Sequence, residues 1–273
     1  MFVADAPPLW LPPKPAIVRA DSLNRHDRRQ IERRFGVKLP PAQANLPGIG
    51  GILAGLLGEA AADATITYTD KGVDGADGTT YSFTGKSFGT ASADRYIIVG
   101  VGATSDFTNS ISSLTIGGVT ATQRVYRSGS LSGAYANAAI FIAAVPTGTT
   151  GTVAVTWAST NYRCSIGVWA TTGLTGAGAA TDTDSGAADP TTVAMNCDAG
   201  GVMVGYGHSY DAGADGSHTW TNLTENFDEL VEGGASYHTG ACAAFASAQS
   251  GLSVTCDPAN VFNSAAFVFA SFR

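Results

Sequence analysis

His208 and His218 flank the segment Ser209–Ser217, which carries Asp211 and Asp215. Imidazole and carboxylate are both metal ligands, so a His/Asp loop can hold a divalent cation. The spacing follows no zinc pattern, and a polar loop between two strands is the alternative. Asp clusters recur elsewhere: Asp70, Asp74 and Asp77, then Asp182, Asp184 and Asp189. Calcium takes about six to eight oxygen ligands, and none of these clusters follows the twelve-residue calcium loop. Asp and Gly are also the residues that turns require. No metal and no cofactor is therefore assigned, and a loop calcium site lacks support.

The acid run Glu225, Asp228, Glu229 and Glu232 reads as a solvated loop rather than a general acid–base pair. The chain has no G-x-S-x-G nucleophile elbow. Gly100-Val101-Gly102 lacks the third glycine and the following helix of a dinucleotide site. A glycosidase needs two carboxylates converging on one bond, and nothing in the sequence selects a pair. No catalytic residue is assigned, and the chain reads as one that binds rather than as an enzyme. Trp157, Trp169 and Trp220, with Tyr206, Tyr210 and Tyr237, can stack on sugar rings where exposed and otherwise belong to a core.

Four cysteines, Cys164, Cys197, Cys242 and Cys256, are too few and too scattered for a disulfide framework. A hairpin folded at Ala248-Gln249-Ser250-Gly251 would set Cys242 and Cys256 opposite each other, within reach of a bridge. That pair is the candidate disulfide. Two reduced, buried thiols are the alternative, and the one a cytoplasmic origin favours.

The elements that must position these residues are short strands. From Ala64 onward the apolar period is two, as in Thr152-Val153-Ala154-Val155-Thr156-Trp157. Strands are expected at 65–69, 80–85, 96–103, 113–116, 121–126, 136–144, 151–157, 164–171, 191–196, 201–210, 218–225, 236–246, 252–256 and 265–272. Turn signals such as Asp77-Gly78, Gly117-Gly118, Asp189-Pro190 and Gly233-Gly234 separate them. The run Tyr96–Val101 is apolar throughout and should be central. The expected fold class is all-β, an antiparallel β-sandwich of jelly-roll type over residues 64–273, with an N-terminal Pro-rich arm and one short helix.

The arm spans residues 1–45. Pro7, Pro8, Pro12, Pro13 and Pro15 exclude helix and central strand from its first part, where Trp10 and Leu11 are apolar anchors. Ser22 caps a helix over about 22–35, with Leu23, Ile31 and Phe35 on one face and Arg25, Arg28, Arg29 and Arg33 on the other. A lone helix with so thin an apolar stripe needs a partner, so Trp10, Leu11, Arg25, Arg28, Arg29, Arg33 and Phe35 are the partner-docking candidates. Residues 46–63 form a Gly-rich apolar linker.

Charge divides the chain in the same place. Residues 1–40 hold 8 Lys and Arg against 4 acids, leaving 7 basic and 18 acidic residues beyond. An acidic body argues against nucleic-acid binding, which needs clustered Lys and Arg. No stretch reaches the roughly 18 apolar residues of a transmembrane helix. The N-terminus has no basic start followed by an apolar run, so no secretion signal is read and synthesis in a host cytoplasm is expected. Charged residues make up 14% of the chain, below the usual quarter or so, as in β-rich proteins whose surfaces neighbours cover.

The order Arg95–Val101, Leu114–Val119, Ala139–Ile142, Thr152–Thr156 and Arg163–Trp169 resembles the β-sandwich modules of tailed-bacteriophage accessory virion proteins. The resemblance covers residues 64–273 and rests on a pattern of strands and turns. It implies a structural protein located in the virion. The arm departs from the module and is expected as the anchor to other virion proteins, with the body projecting as a tail fibre, spike or collar element. The resemblance further implies a homo-oligomer, a trimer first. The sandwich loops are expected to meet a host surface, a surface glycan being the candidate, or a neighbouring subunit. A capsid decoration protein is the alternative within the class. A free carbohydrate-binding module is the alternative outside it.

Overall fold

The computed structural model describes residues 63–130, 133–210, 217–231, 236–259 and 264–273, which belong to one compact unit, Ala62–Arg273. The expected arm, its helix and the linker lie outside the described residues. Among the described residues there are 17 strands and no helix. In chain order they are β1 (Thr65–Asp74), β2 (Gly78–Ser87), β3 (Tyr96–Ser105), β4 (Ile111–Ile116), β5 (Val119–Thr120), β6 (Thr122–Gly129), β7 (Tyr135–Ala144), β8 (Thr150–Asn161) and β9 (Arg163–Thr172). They continue with β10 (Ala180–Gly186), β11 (Thr191–Cys197), β12 (Gly201–Tyr210), β13 (His218–Thr221), β14 (Thr224–Val231), β15 (Ser236–Phe245), β16 (Gln249–Pro258) and β17 (Ser264–Phe272).

These strands build four antiparallel sheets. Sheet A has the order β1-β9-β3-β7-β6 and sheet B the order β2-β8-β4-β5. Sheet C has the order β10-β17-β12-β15-β14 and sheet D the order β11-β16-β13. The second pair of sheets repeats the order of the first, with β10 in the place of β1, β17 in that of β9 and β16 in that of β8, save that the two-residue β5 has no counterpart in sheet D. In the first half β5 pairs with β4, and after Ala121 the chain continues as β6 on β7. One broken strand thus leaves sheet B and joins sheet A, the corner device of packed sheets. Each half is a jelly roll of two facing sheets. The sequence treats 64–273 as one sandwich, whereas strand pairing resolves two of them in tandem.

Three buried layers hold the stack together. Tyr81, Phe83, Leu114, Val155 and Trp157 of sheet B meet Ile97, Val99, Phe141 and Val168 of sheet A. Met195, Trp220 and Val254 of sheet D meet Met203, Phe267 and Phe269 of sheet C. Between these layers, Ile98, Ile140 and Trp169 of sheet A meet Val204, Tyr206, Phe227 and Val268 of sheet C. The layers run B, A, C, D, so sheets A and C are covered on both faces. That is why Tyr96–Val101 and Ala265–Phe272 are apolar without alternation: neither strand has a wet side. The outer strand β11 alternates buried and exposed residue by residue.

Sheets A and C approach closely over β3. A Cβ at Gly100 would lie 2.4 Å from the Tyr206 ring, and one at Gly102 would lie 2.5 Å from the His208 Cβ. Glycine is needed there to let an aromatic ring and an imidazole lie against the opposite backbone.

Most strand positions follow the sequence pattern, but three elements depart from it. The expected strand 218–225 is broken at Asn222, whose φ of 66° is left-handed, and resumes as β14. Glu225, Asp228 and Glu229 therefore stand on an edge strand rather than in a loop, with Phe227 and Val231 turned inward. Strand β10 (ATDTDSG) lacks β-branched apolar residues and gives no strand signal, yet it pairs along β17.

Arg95 closes one end of the first sandwich. It is 1% exposed, and all five of its N–H groups find carbonyls. Nε donates to Val145 at 2.8 Å, Nη1 to Phe88 and Gly89, and Nη2 to Thr147 and Gly148. The chain enters the body at this same end: the Ala64 amide and the Arg273 guanidinium both donate to the Gly200 carbonyl. The segments 75–77, 106–110, 162 and 187–190 lie at the opposite end, as the antiparallel register requires.

Candidate functional site

Of the residues that sequence reasoning singles out, His218 and Asp228 meet. His218 Nδ1 lies 2.8 Å from Asp228 Oδ1, the His218 amide donates to Asp228 Oδ2, and His218 Nε2 lies 3.3 Å from Ser209 Oγ. The metal-ligand candidates do not converge. His208 stands on β12 and faces sheet A, while His218 stands on β13 and faces the core between sheets C and D. Asp211 and Asp215 lie outside the described residues. No group of three or more His, Cys, Asp or Glu is placed to hold a metal ion among the described residues. The Asp clusters serve turns and strand edges. Asp70 accepts from the amides of Lys71 and Ser87, Asp74 from the Ala76 amide, Asp182 from the Thr183 and Asn196 amides, and Asp184 from the Ser185 amide.

The hairpin expected to oppose Cys242 and Cys256 does not form. Strand β15 pairs with β12 and β14 in sheet C, whereas β16 pairs with β11 and β13 in sheet D. The connection between them crosses from one sheet to the other. Cys242 enters the layer between sheets A and C, Cys256 the layer between C and D, and all four cysteines are buried free thiols. Burial pushes the Cys197 and Cys242 thiols up to about 11. Trp157, Trp169, Trp220 and Tyr206 are core residues, and Tyr210 and Tyr237 are half-buried. Trp10, Leu11, Arg25, Arg28, Arg29, Arg33 and Phe35 lie outside the described residues.

Two polar constellations emerge that the sequence did not announce. The first is a histidine seam between the two jelly rolls. His208 and His238 are direct cross-strand partners on β12 and β15, and both are fully buried. The His208 ring lies between two hydroxyls, with Nδ1 3.0 Å from Ser165 Oγ and Nε2 3.0 Å from Thr104 Oγ1. Thr104 also reaches Ser236 Oγ at 2.8 Å, and Ser165 reaches the Tyr206 hydroxyl at 2.8 Å. Burial, then the charges of Arg163 and His218, push His208 down to about 3. His238 packs on the Phe227 ring at 4.9 Å between centroids, and neither of its ring nitrogens has a hydrogen-bond partner. Burial, then His208, Lys71 and His218, hold it well below the usual histidine range. Glu229 Oε2 stands 4.0 Å from its Nε2. Both rings are therefore neutral near pH 7.

The second constellation pins the loop 106–110 at the end opposite to Ala64. Asn109 is buried and pairs with the Ser159 backbone on both sides of its amide. Its Nδ2 donates to the Ser159 carbonyl at 2.8 Å, and its Oδ1 accepts from the Ser159 amide at 3.2 Å. The same Nδ2 reaches Asn161 Oδ1 at 2.9 Å, and the Asn109 amide donates to Asn137 Oδ1 at 3.1 Å. The Tyr126 hydroxyl lies 2.8 Å from the Asn109 carbonyl. Asn137 Nδ2 donates to Ser105 Oγ, which in turn donates to the Phe107 carbonyl. The side chains of Ser105, Asn109, Tyr126, Asn137 and Asn161 thus fasten the loop at two residues, Phe107 and Asn109. Outside this network, Phe107 is 43% exposed and Asp106 is exposed. The Tyr162 hydroxyl donates to Asp106 Oδ2, which raises its pKa, with burial and the charges of Asp106, Asp77 and Tyr210 adding to the rise.

The fold thus defines the described body as an all-β protein of two jelly rolls stacked in four layers. No family model, no curated protein and no solved structure matches the chain. No helix of the described residues is long and apolar enough to cross a membrane.

Proposed function

We propose that the protein is a structural component of a tailed phage or phage-like particle, held by its N-terminal arm and projecting the double jelly roll as a fibre, spike or collar element. The observation that supports this best is the polarity of the body. The chain enters it at Ala64, beside Gly200 and Arg273, while the pinned loop with Phe107 lies at the far end. Trp10, Leu11 and Phe35, with Arg25, Arg28, Arg29 and Arg33, dock on other virion proteins. The body acts by binding, as a symmetric homo-oligomer of which a trimer is the first candidate.

The test is deletion of residues 1–45. The truncated chain should keep the thermal midpoint of the full chain yet fail to co-sediment with particles. A truncated chain that co-sediments as well as the full one refutes the anchor. Sedimentation equilibrium of both forms measures the oligomer, and a monomeric mass for each refutes the trimer.

A further inference from the structure

We infer that the surface formed by Asp106, Phe107 and Tyr162 is a glycan-binding site for a neutral sugar. This rests on the reading of the body as a projecting, attaching element and names what it attaches to.

The physical case begins with the cost of the loop. Burying an amide side chain is favourable only when its hydrogen bonds are made, and networks of such groups serve to fix one geometry. Asn109 and Asn137, 2% and 0% exposed, are spent on holding residues 106–110 against β8. That loop buries no large apolar residue of its own. What it displays is Phe107, one of four large apolar side chains exposed among the described residues. A fold that fixes an exposed aromatic this firmly has pre-organised it for contact, and pre-organisation lowers the entropy lost on binding.

The neighbours define the chemistry. Tyr162 occupies the single residue between β8 and β9, its amide donating to the Thr104 carbonyl at 2.9 Å. Its hydroxyl is tied to Asp106, so ring and carboxylate are held together. Aromatic faces receive the C–H faces of pyranose rings, and a carboxylate accepts from their hydroxyl groups. Asp106 and the nearby Asp77 repel carboxylated or phosphorylated sugars, which leaves neutral ones. Three side chains offer only a small fraction of the roughly 800 Å² per partner of a standard protein interface, so a sugar fits the surface better than a protein does.

The experiment uses the full chain on a printed array of bacterial surface oligosaccharides, with neutral and anionic sets side by side. The expected result is retention on neutral glycans. Phe107→Ala and Asp106→Asn should each weaken it about tenfold, the loss of one good contact. Phe107 is exposed, so its replacement leaves the thermal midpoint unchanged, and a midpoint measured on each variant checks this. A wild-type chain retained by no neutral glycan, or only by anionic ones, overturns the inference, as does a Phe107→Ala chain retained equally well. A protein receptor would leave the array blank and count against it likewise. Particle co-sedimentation is read separately. A chain that enters particles but ignores glycans sinks the site alone, and one that binds glycans but never enters particles sinks the structural reading alone.

Discussion

Acid should destabilise this fold through His208. The ring is buried between Ser165 and Thr104 at the seam of the two jelly rolls, where it is neutral. In the unfolded chain an imidazole takes up its proton near pH 6.5, whereas burial in the folded protein delays this to about 3. Below about pH 6.5 the unfolded state therefore binds the extra proton, and stability falls as the pH drops from there towards 3. Above about 6.5 the contribution is complete. At about pH 4.5 the loss from this one ring is about 3 kcal/mol, two units at about 1.4 kcal/mol each. His238 acts in the same direction, because burial depresses it too. Against a total stability of about 5–15 kcal/mol this is a large share. Urea unfolding followed by tryptophan fluorescence, at about pH 7.5, 6.5, 5.5 and 4.5, measures the effect in wild type and in His208→Gln. The variant is less stable at about pH 7.5, and the gap should shrink by more than about 2 kcal/mol towards 4.5. Parallel stability curves for the two proteins across that range would refute the reasoning.

His238 has no hydrogen bond to lose, so His238→Met should leave the urea midpoint at neutral pH unchanged or raise it, and flatten its acid dependence. Arg95→Lys replaces five matched donors by a point charge with three, and should cost about 3 kcal/mol or more, read as a lower thermal midpoint with no change in oligomer mass. Gly100→Ala drives a methyl group to 2.4 Å from the Tyr206 ring, and calorimetry should show a loss of about 1–3 kcal/mol. The four buried thiols should be inert to an aromatic disulfide reagent in the native protein and all react in denaturant without prior reduction.

The strands were legible because their apolar period was, and the reason they packed as two sandwiches was not. Alternation in β8 and β11 marks a strand with one wet face, whichever sandwich it belongs to. The unbroken runs of β3 and β17 say that a strand is covered on both sides but not by what. Duplication would have shown as a sequence repeat, yet equivalent strands share topology without obvious residue identity: β9 reads RCSIGVWATT and β17 SAAFVFASF. The candidate disulfide failed for a related reason. Turn residues at 248–251 announce a change of direction, and whether the chain returns along its own sheet or crosses to the next depends on cores that form far away in sequence. Nothing in the sequence singled out the surface site. Phe107 is unremarkable in sequence and becomes informative only when Asn109, Asn137 and Ser105 are seen to converge beneath it.

Composition also changes meaning once the layers are known. A charged fraction of 14% suggested surfaces covered by other subunits. Two of the four sheets are already covered on both faces within one chain, so their strands have little room for charge whatever the protein assembles with. The low charge is thus accounted for internally and ceases to argue for a partner. What remains is surface built at a cost. The outer faces of sheets B and D carry exposed Thr80, Ser82, Thr84, Thr192, Thr219 and Thr221, which any solvated strand tolerates. The loop beneath Phe107 is different, because buried amides would not be spent on a segment whose position did not matter. Evidence for a partner therefore rests on how firmly Phe107, Asp106 and Tyr162 are held, not on how few charges the chain carries.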